Sequence, residues 1–257
     1  SLNINIIVYF IINGLLTLFV QPLIYVFEKL FGLVSDITLL EFSDTNSKLL
    51  KQLSEKAPGT FNHSLQVANL AEAAANEIGA NSLLVRVGSL YHDIGKINAP
   101  TFYSENQNSP VSPHDDLTPE QSAEIIINHV NEGIKIAKKN NIPDRVIDFI
   151  RTHHGTNTVY YFYQKAIEQY GKDNVNVKSF KYTGPTPFSK ETAILMMADS
   201  VEAASKSLRT PTFEKIQDFV NQIIDNHMFG KQFEYSNITL YEIELVKKVL
   251  IKRLVNI

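Results

Sequence analysis

The chain contains no cysteine. Disulfides, thiolate zinc sites, iron–sulfur clusters and cysteine nucleophiles are excluded, and a reducing compartment is compatible with the sequence. No basic patch or run stands out and the net charge is −3, so nothing indicates a surface for polymeric nucleic acid. Small phosphate ligands stay compatible, because bound metal ions can supply the positive charge that composition lacks. Internal repeats and low-complexity tracts are missing too. Alternating period-2 stretches are scarce, whereas long stretches carry apolar residues at helical spacing, so the expected class is all-α. With 257 residues, 44% hydrophobic and 20% charged, the composition is that of a globular protein with a substantial core.

Charge is also missing from Ile6 to Phe27 (IIVYFIINGLLTLFVQPLIYVF). About 20 apolar residues span a bilayer core, and Gly14 and Pro22 are tolerated in membrane helices. No positive segment precedes the run and no small-residue cleavage site follows, which speaks against a signal peptide. The expectation for residues 1–34 is a last transmembrane helix or an apolar N-terminal helix, with Glu28 and Lys29 at the water boundary. A buried or dimer-forming helix is the alternative. A chain beginning at Ser1 reads as a piece of a larger protein. Residues 35–57 read as a connector with short helical pieces, and 58–257 as the helical body.

Several helix starts have a mechanism. Thr118-Pro119-Glu120-Gln121 supplies a capping hydroxyl, a proline at the first helical position and a glutamine at the third. The helix it opens places Ile126, His129, Val130, Gly133, Ile134 and Ala137 on one face, so His129 points inward. Pro143 begins a helix with Val146, Phe149, Ile150 and His153 on one face, His154 in its last turn and Gly155 at its end. Ser189 caps a third, in which six apolar or small residues, 193–198, precede Asp199. Two loops, 98–116 and 173–188, are placed to shape a pocket. After Thr210, two amphipathic stripes (Phe213, Ile216, Phe219, Val220, Ile223; Ile243, Val246, Val249, Leu250, Leu254) read as packing.

Five of the seven histidines, His63, His92, His129, His153 and His154, sit in or beside buried helix, together with Asp93 and Asp199. Burying so many polar groups is costly unless something positive gathers them. Seven ligands are too many for one tetrahedral ion. Five imidazoles and two carboxylates suit two octahedral divalent ions, manganese or iron before cobalt, nickel or zinc. Such a pair, about 3.5–4 Å apart, generates a bound hydroxide and clamps phosphate oxygens, which implies phosphate-ester hydrolysis. Lys96, one turn beyond Asp93, is a candidate catalytic residue that contacts phosphate or protonates the leaving oxygen, the alternative being a solvated lysine. Arg209, at the end of the helix of Asp199, is a candidate phosphate contact or a cation favoured by the helix dipole. Tyr160, in the aromatic run 160–163, and Tyr182, in the second loop, are candidate substrate contacts, with packing as the alternative.

The order His, His-Asp, His, His-His, Asp resembles the HD-domain metallophosphohydrolase superfamily. Three stretches narrow the likeness: EKAPGTFNHSLQVANLAEAAA, HDIGKINAP with the later SPHDDLTPEQSA, and FSKETAILMMADSVEAASKSLRTPT. They look like the cytoplasmic catalytic domain of the bacterial seven-transmembrane HD receptors, a family of cyclic di-AMP phosphodiesterases, over residues 40–255. The resemblance implies an all-α helical bundle around a binuclear metal site, opening cyclic di-AMP to linear pApA with a metal-bridging hydroxide as nucleophile. His63, His92, Asp93 and Asp199 would hold one ion, and Asp93 would bridge to a second held by His129, His153 and His154. The apolar run would be the family's last membrane helix, placing the domain on the cytoplasmic side of the inner membrane, with homodimerisation left open. His114-Asp115 falls in the first loop and is not assigned to metal. Three rivals remain. A cyclic di-GMP phosphodiesterase is disfavoured because Gly155 is followed by Thr-Asn-Thr, not Tyr-Pro. The others are a di-iron oxygenase on the same ligands and a non-catalytic nucleotide sensor.

Overall fold

The computed structural model describes residues 4–107, 109, 111–206 and 212–255. These residues form helices and short 3-10 turns without a strand, apart from one isolated bridge between Thr158 and Lys181. The apolar run is divided into α1 (Ile4–Leu18) and α2 (Val20–Phe31). Pro22, in the first turn of α2, has no N–H to give to the carbonyl four residues back, so the helical ladder breaks there. The segments Ile4–Leu18 and Pro22–Phe31 meet at 43°. No single helix among the described residues is long and apolar enough to cross a membrane, although the bent pair has the length and composition of a broken span. Most of its described side chains stand exposed, Phe10 by 79%. Glu28 lies at a junction: it accepts the Ser35 N–H at 2.6 Å and the Thr38 hydroxyl at 3.1 Å, tying α2 to α3 (Asp36–Ser43).

The segment read as a connector is packed into the fold. From α3 and α4 (Lys48–Lys56), Leu39, Leu49, Leu50 and Leu53 are buried in a cluster with Val87, Leu90, Ile94 and Ile147. Such side chains contribute about 1.5–3 kcal/mol each when fully buried, which links this segment energetically to the helices that follow.

Those helices are α5 (Pro58–Glu77), α6 (Ser82–Tyr91), α7 (Pro119–Lys139), α8 (Asp144–Thr152), α9 (Tyr160–Tyr170), α10 (Lys190–Ser205), α11 (Phe213–Phe229) and α12 (Leu240–Val255). Both expected caps are present: Thr118 and Gln121 form a capping box on α7, and Ser189 and Thr192 form one on α10. α10 runs through the middle of the bundle, with residues 194–198 fully buried. A helix covered on all sides needs no polar face, which explains its unbroken apolar stretch. Around it a second cluster gathers Val67, Leu70 and Ala74 of α5, Phe149 of α8, Ile216 and Val220 of α11, and Val246 and Leu250 of α12. The two C-terminal stripes are therefore packing, although Phe213 at the start of the first is 55% exposed.

Candidate metal centre

Five elements bring the seven side chains together. His63 lies in α5, His92 and Asp93 follow α6, His129 lies in α7, His153 and His154 follow α8, and Asp199 lies in α10. All are buried except His154, which is half-buried. Asp93 faces two ways. Its Oδ1 is 3.3 Å from His129 Nε2 and 3.6 Å from His153 Nε2, while its Oδ2 is 3.3 Å from His92 Nε2 and 3.7 Å from His63 Nε2. Asp199 Oδ1 stands 3.0 Å from His63 Nε2 and 3.6 Å from His92 Nε2. Two groups of donors result, Asp93 with His129, His153 and His154, and His63 with His92 and Asp199, each with its ligand atoms within 4.8 Å of one another.

The rings are aimed by one repeated device. His92, His129 and His153 each give Nδ1–H to the carbonyl three residues earlier, of Ser89, Ile126 and Ile150, at 2.7, 2.5 and 2.8 Å. A carbonyl only accepts, so the proton sits on Nδ1 and the Nε2 lone pair is turned inward. His63 uses a side chain for the same purpose: its Nδ1 is hydrogen-bonded to the buried carboxylate of Glu202, which also pairs with Lys206 at 3.0 Å. A close approach fixes the spacing between groups. Gly95 lies against α7, and a Cβ there would meet the His129 carbonyl oxygen at 1.9 Å and the Gly133 nitrogen at 2.6 Å.

This donor set fits metal. His92 Nε2 and Asp93 Oδ1 are buried without a hydrogen-bond partner, a costly state unless a cation faces them. Charge is distributed to match. Burial pushes the Asp93 and Asp199 carboxyls up, but the Lys96 and His92 charges outweigh it at Asp93, and the bond from His63 with the charge of His92 outweighs it at Asp199, holding both well below the usual range. Burial disfavours the His92 imidazolium, yet Asp93 and Asp199 raise it to about 10; His63 is also raised against its burial, through Asp199 and Glu202. His153 is lowered, first by burial, and His154 falls well below its ordinary value by burial and the neighbouring His153. One half thus holds positive charge between carboxylates, where a divalent ion would displace protons. In the other half, His153 and His154 are held toward the neutral form.

Lys96 lies beside the centre. Its Nζ is 2.7 Å from Asp93 Oδ2 and 2.8 Å from Glu105 Oε1, so it is no solvated lysine. Burial opposes its charge, but both carboxylates hold its pKa above the ordinary value. Tyr182 stacks on His154 with ring centres 4.2 Å apart, bordering a small cavity of about 40 Å³ lined also by Val130, Asn131 and Arg151. Tyr160 is not brought to the cluster: it stands 67% exposed at the first turn of α9, because that helix buries its opposite face through Phe162 and Ala166. Arg209 lies outside the described residues, and the helix of Asp199 ends at Ser205. His114 stays in the loop, giving its Nε2–H to the Phe102 carbonyl at 2.9 Å and packing on Phe162. Sequence reasoning missed Glu202 and Glu105. Glu202 had a signal, since it follows Asp199 by three residues and so shares its face of α10; Glu105 had none.

A helical bundle with paired His and Asp groups defines an HD-type hydrolase scaffold, and comparison with known proteins agrees. The HD domain model matches residues 60–204, and the chain belongs to the HD-domain family. It is 47% identical over 228 residues to the cyclic-di-AMP phosphodiesterase PgpH of Listeria monocytogenes, covering 89% of this chain and 32% of that protein. It is 42% identical over 224 residues to PgpH of Bacillus subtilis, covering 87% of this chain and 31% of that protein. The chain therefore spans about a third of the length of these curated relatives. The crystal structure of the L. monocytogenes PgpH HD domain in complex with cyclic-di-AMP superposes with a TM-score of 0.80 at 47% identity, covering 83% of this chain and 99% of that one.

Proposed function

We propose that the chain is the catalytic part of a membrane-attached phosphodiesterase that opens cyclic di-AMP to linear pApA. The observation that carries this reading is Asp93, whose two oxygens face separate groups of buried imidazoles. Adenine as the base rests on the likeness to the PgpH proteins. Two divalent ions, manganese or iron, would supply Lewis acidity and acidify water at this site. His63, His92, Asp93 and Asp199 would hold one, and Asp93, His129, His153 and His154 the other, with ring orientations already set by the Nδ1 bonds.

The remaining work falls to the chain. Water adds to one phosphorus, the bond to the 3′ oxygen breaks, and the product keeps a 5′ phosphate. Lys96, held at Oδ2 of Asp93, has one N–H free of its two carboxylate partners for a phosphate oxygen or for charge developing on the leaving group. Tyr182, fixed against His154, forms a wall for the nucleotide. The exposed apolar pair α1–α2 supports attachment to the cell membrane, and placing the bundle on the cytoplasmic side rests on the family likeness alone. Purified protein loaded with Mn²⁺ should convert cyclic di-AMP to pApA without oxygen, and faster than it converts cyclic di-GMP. Asp93→Ala should abolish turnover. Undiminished turnover in that variant would overturn the reading.

A further inference from the structure

The Lys96 ammonium is shared between a carboxylate inside the donor groups and one outside them. Glu105 belongs to neither group, yet its Oε1 receives Lys96 at 2.8 Å, and the Lys96 Nζ also lies 4.9 Å from the centre of the Tyr103 ring. Glu105 is itself anchored. The same Oε1 accepts the Thr60 hydroxyl at 3.0 Å. The next residue, Asn106, accepts the Gly59 and Thr60 N–H groups through its Oδ1 at 2.9 and 3.2 Å and donates to the Thr60 hydroxyl at 2.8 Å. These bonds satisfy donors at the first turn of α5, the helix that delivers His63 one turn later. The contact is intimate: a Cβ on Gly59 would meet the Glu105 carbonyl oxygen at 1.8 Å. The loop of Glu105 is thus bolted to the helix that carries His63.

Without Glu105, the nearest strong acceptor for the ammonium is Asp93 Oδ2, 2.7 Å away. Lys96 would then lie wholly on an oxygen that the proposed reaction needs for metal. A flexible four-carbon stem does not choose between such positions by itself. We infer that Glu105 is a positioning residue for Lys96, drawing its ammonium partly off Asp93 and fixing it where one N–H remains for substrate phosphate. This rests on the reading of Lys96 as a phosphate contact in the proposed reaction.

A double-mutant cycle with Lys96→Met and Glu105→Ala tests it, read as kcat and KM for cyclic di-AMP and as bound Mn²⁺ per chain. Glu105→Gln, which keeps an acceptor for Thr60 and Lys96 but not the charge, guards against a variant that simply fails to fold. Glu105→Ala should lower kcat about ten- to hundredfold while KM and Mn²⁺ stoichiometry stay near those of the parent. Glu105→Asp should recover part of the loss. In the Lys96→Met background the same change should cost nothing further, since its effect passes through the lysine. An equal loss in both backgrounds overturns the positioning role, as does full turnover in Glu105→Ala when Lys96→Met is impaired. Undiminished turnover in Lys96→Met overturns the role of Lys96 itself and this inference with it, while Asp93→Ala reports separately on the metal-dependent reaction.

Discussion

Gly95→Ala would place a methyl group where the 94–98 turn meets α7. The added carbon would lie 1.9 Å from the His129 carbonyl oxygen, whereas real Cβ contacts are essentially never under 3.0 Å, so the turn and the helix must part by about an ångström. Neither neighbour can yield by rotating a side chain, because both contacts are with backbone atoms. Overpacking of this kind costs about 1–3 kcal/mol. Its larger effect is on spacing. Asp93 precedes Gly95 by two residues, and its Oδ1 sits 3.3 Å from His129 Nε2 and 3.6 Å from His153 Nε2. Moving the turn off α7 opens the distance to His129, weakening the group formed with His153 and His154. A misplacement of about 1 Å costs roughly a hundredfold in rate. The expected variant folds, melts several degrees lower, binds one Mn²⁺ tightly in place of two, and loses about two orders of magnitude in kcat. Calorimetric Mn²⁺ titration and kinetics decide, with Gly14→Ala as control because a Cβ there meets nothing within 4 Å. A Gly95→Ala protein with two tightly bound ions and unchanged turnover would refute the idea that this contact sets the spacing.

Removing the carboxylate behind His63, by Glu202→Ala, should weaken Mn²⁺ binding about 10- to 100-fold, while Glu202→Gln, whose amide oxygen still accepts from Nδ1–H, should lose less; equal affinity in all three would refute the role of Glu202. Leu53→Ala should destabilise the domain by about 2–5 kcal/mol in denaturant unfolding, because Leu53 is fully buried. An unchanged midpoint would mean that residues 36–56 do not fold with the rest.

The cluster of histidines and aspartates was legible because imidazoles and carboxylates on otherwise apolar helix faces stand out in sequence, and because caps at Thr118 and Ser189 fix the helical register on which those faces depend. The supporting contacts were less so. Backbone carbonyls of Ser89, Ile126 and Ile150 aim three rings, and no residue type encodes that partner. Glu105 reads as an ordinary loop acid until folding sets it against Lys96 and Thr60, 45 residues from the latter. Residues 35–57 read as a connector, since short helices offer too few turns for a stripe to show, although Leu49, Leu50 and Leu53 share one buried face. The division of the apolar run was foreshadowed by Pro22, which a membrane helix tolerates and which here lies next to the bend.

Anomalous diffraction from crystals loaded with Mn²⁺ is the most direct test of a two-cation centre divided by Asp93. Two peaks about 3.5–4 Å apart are expected, one against His63, His92 and Asp199, the other against His129, His153 and His154, with a different oxygen of Asp93 toward each. A single peak, or density that leaves either histidine group without a metal, would contradict it.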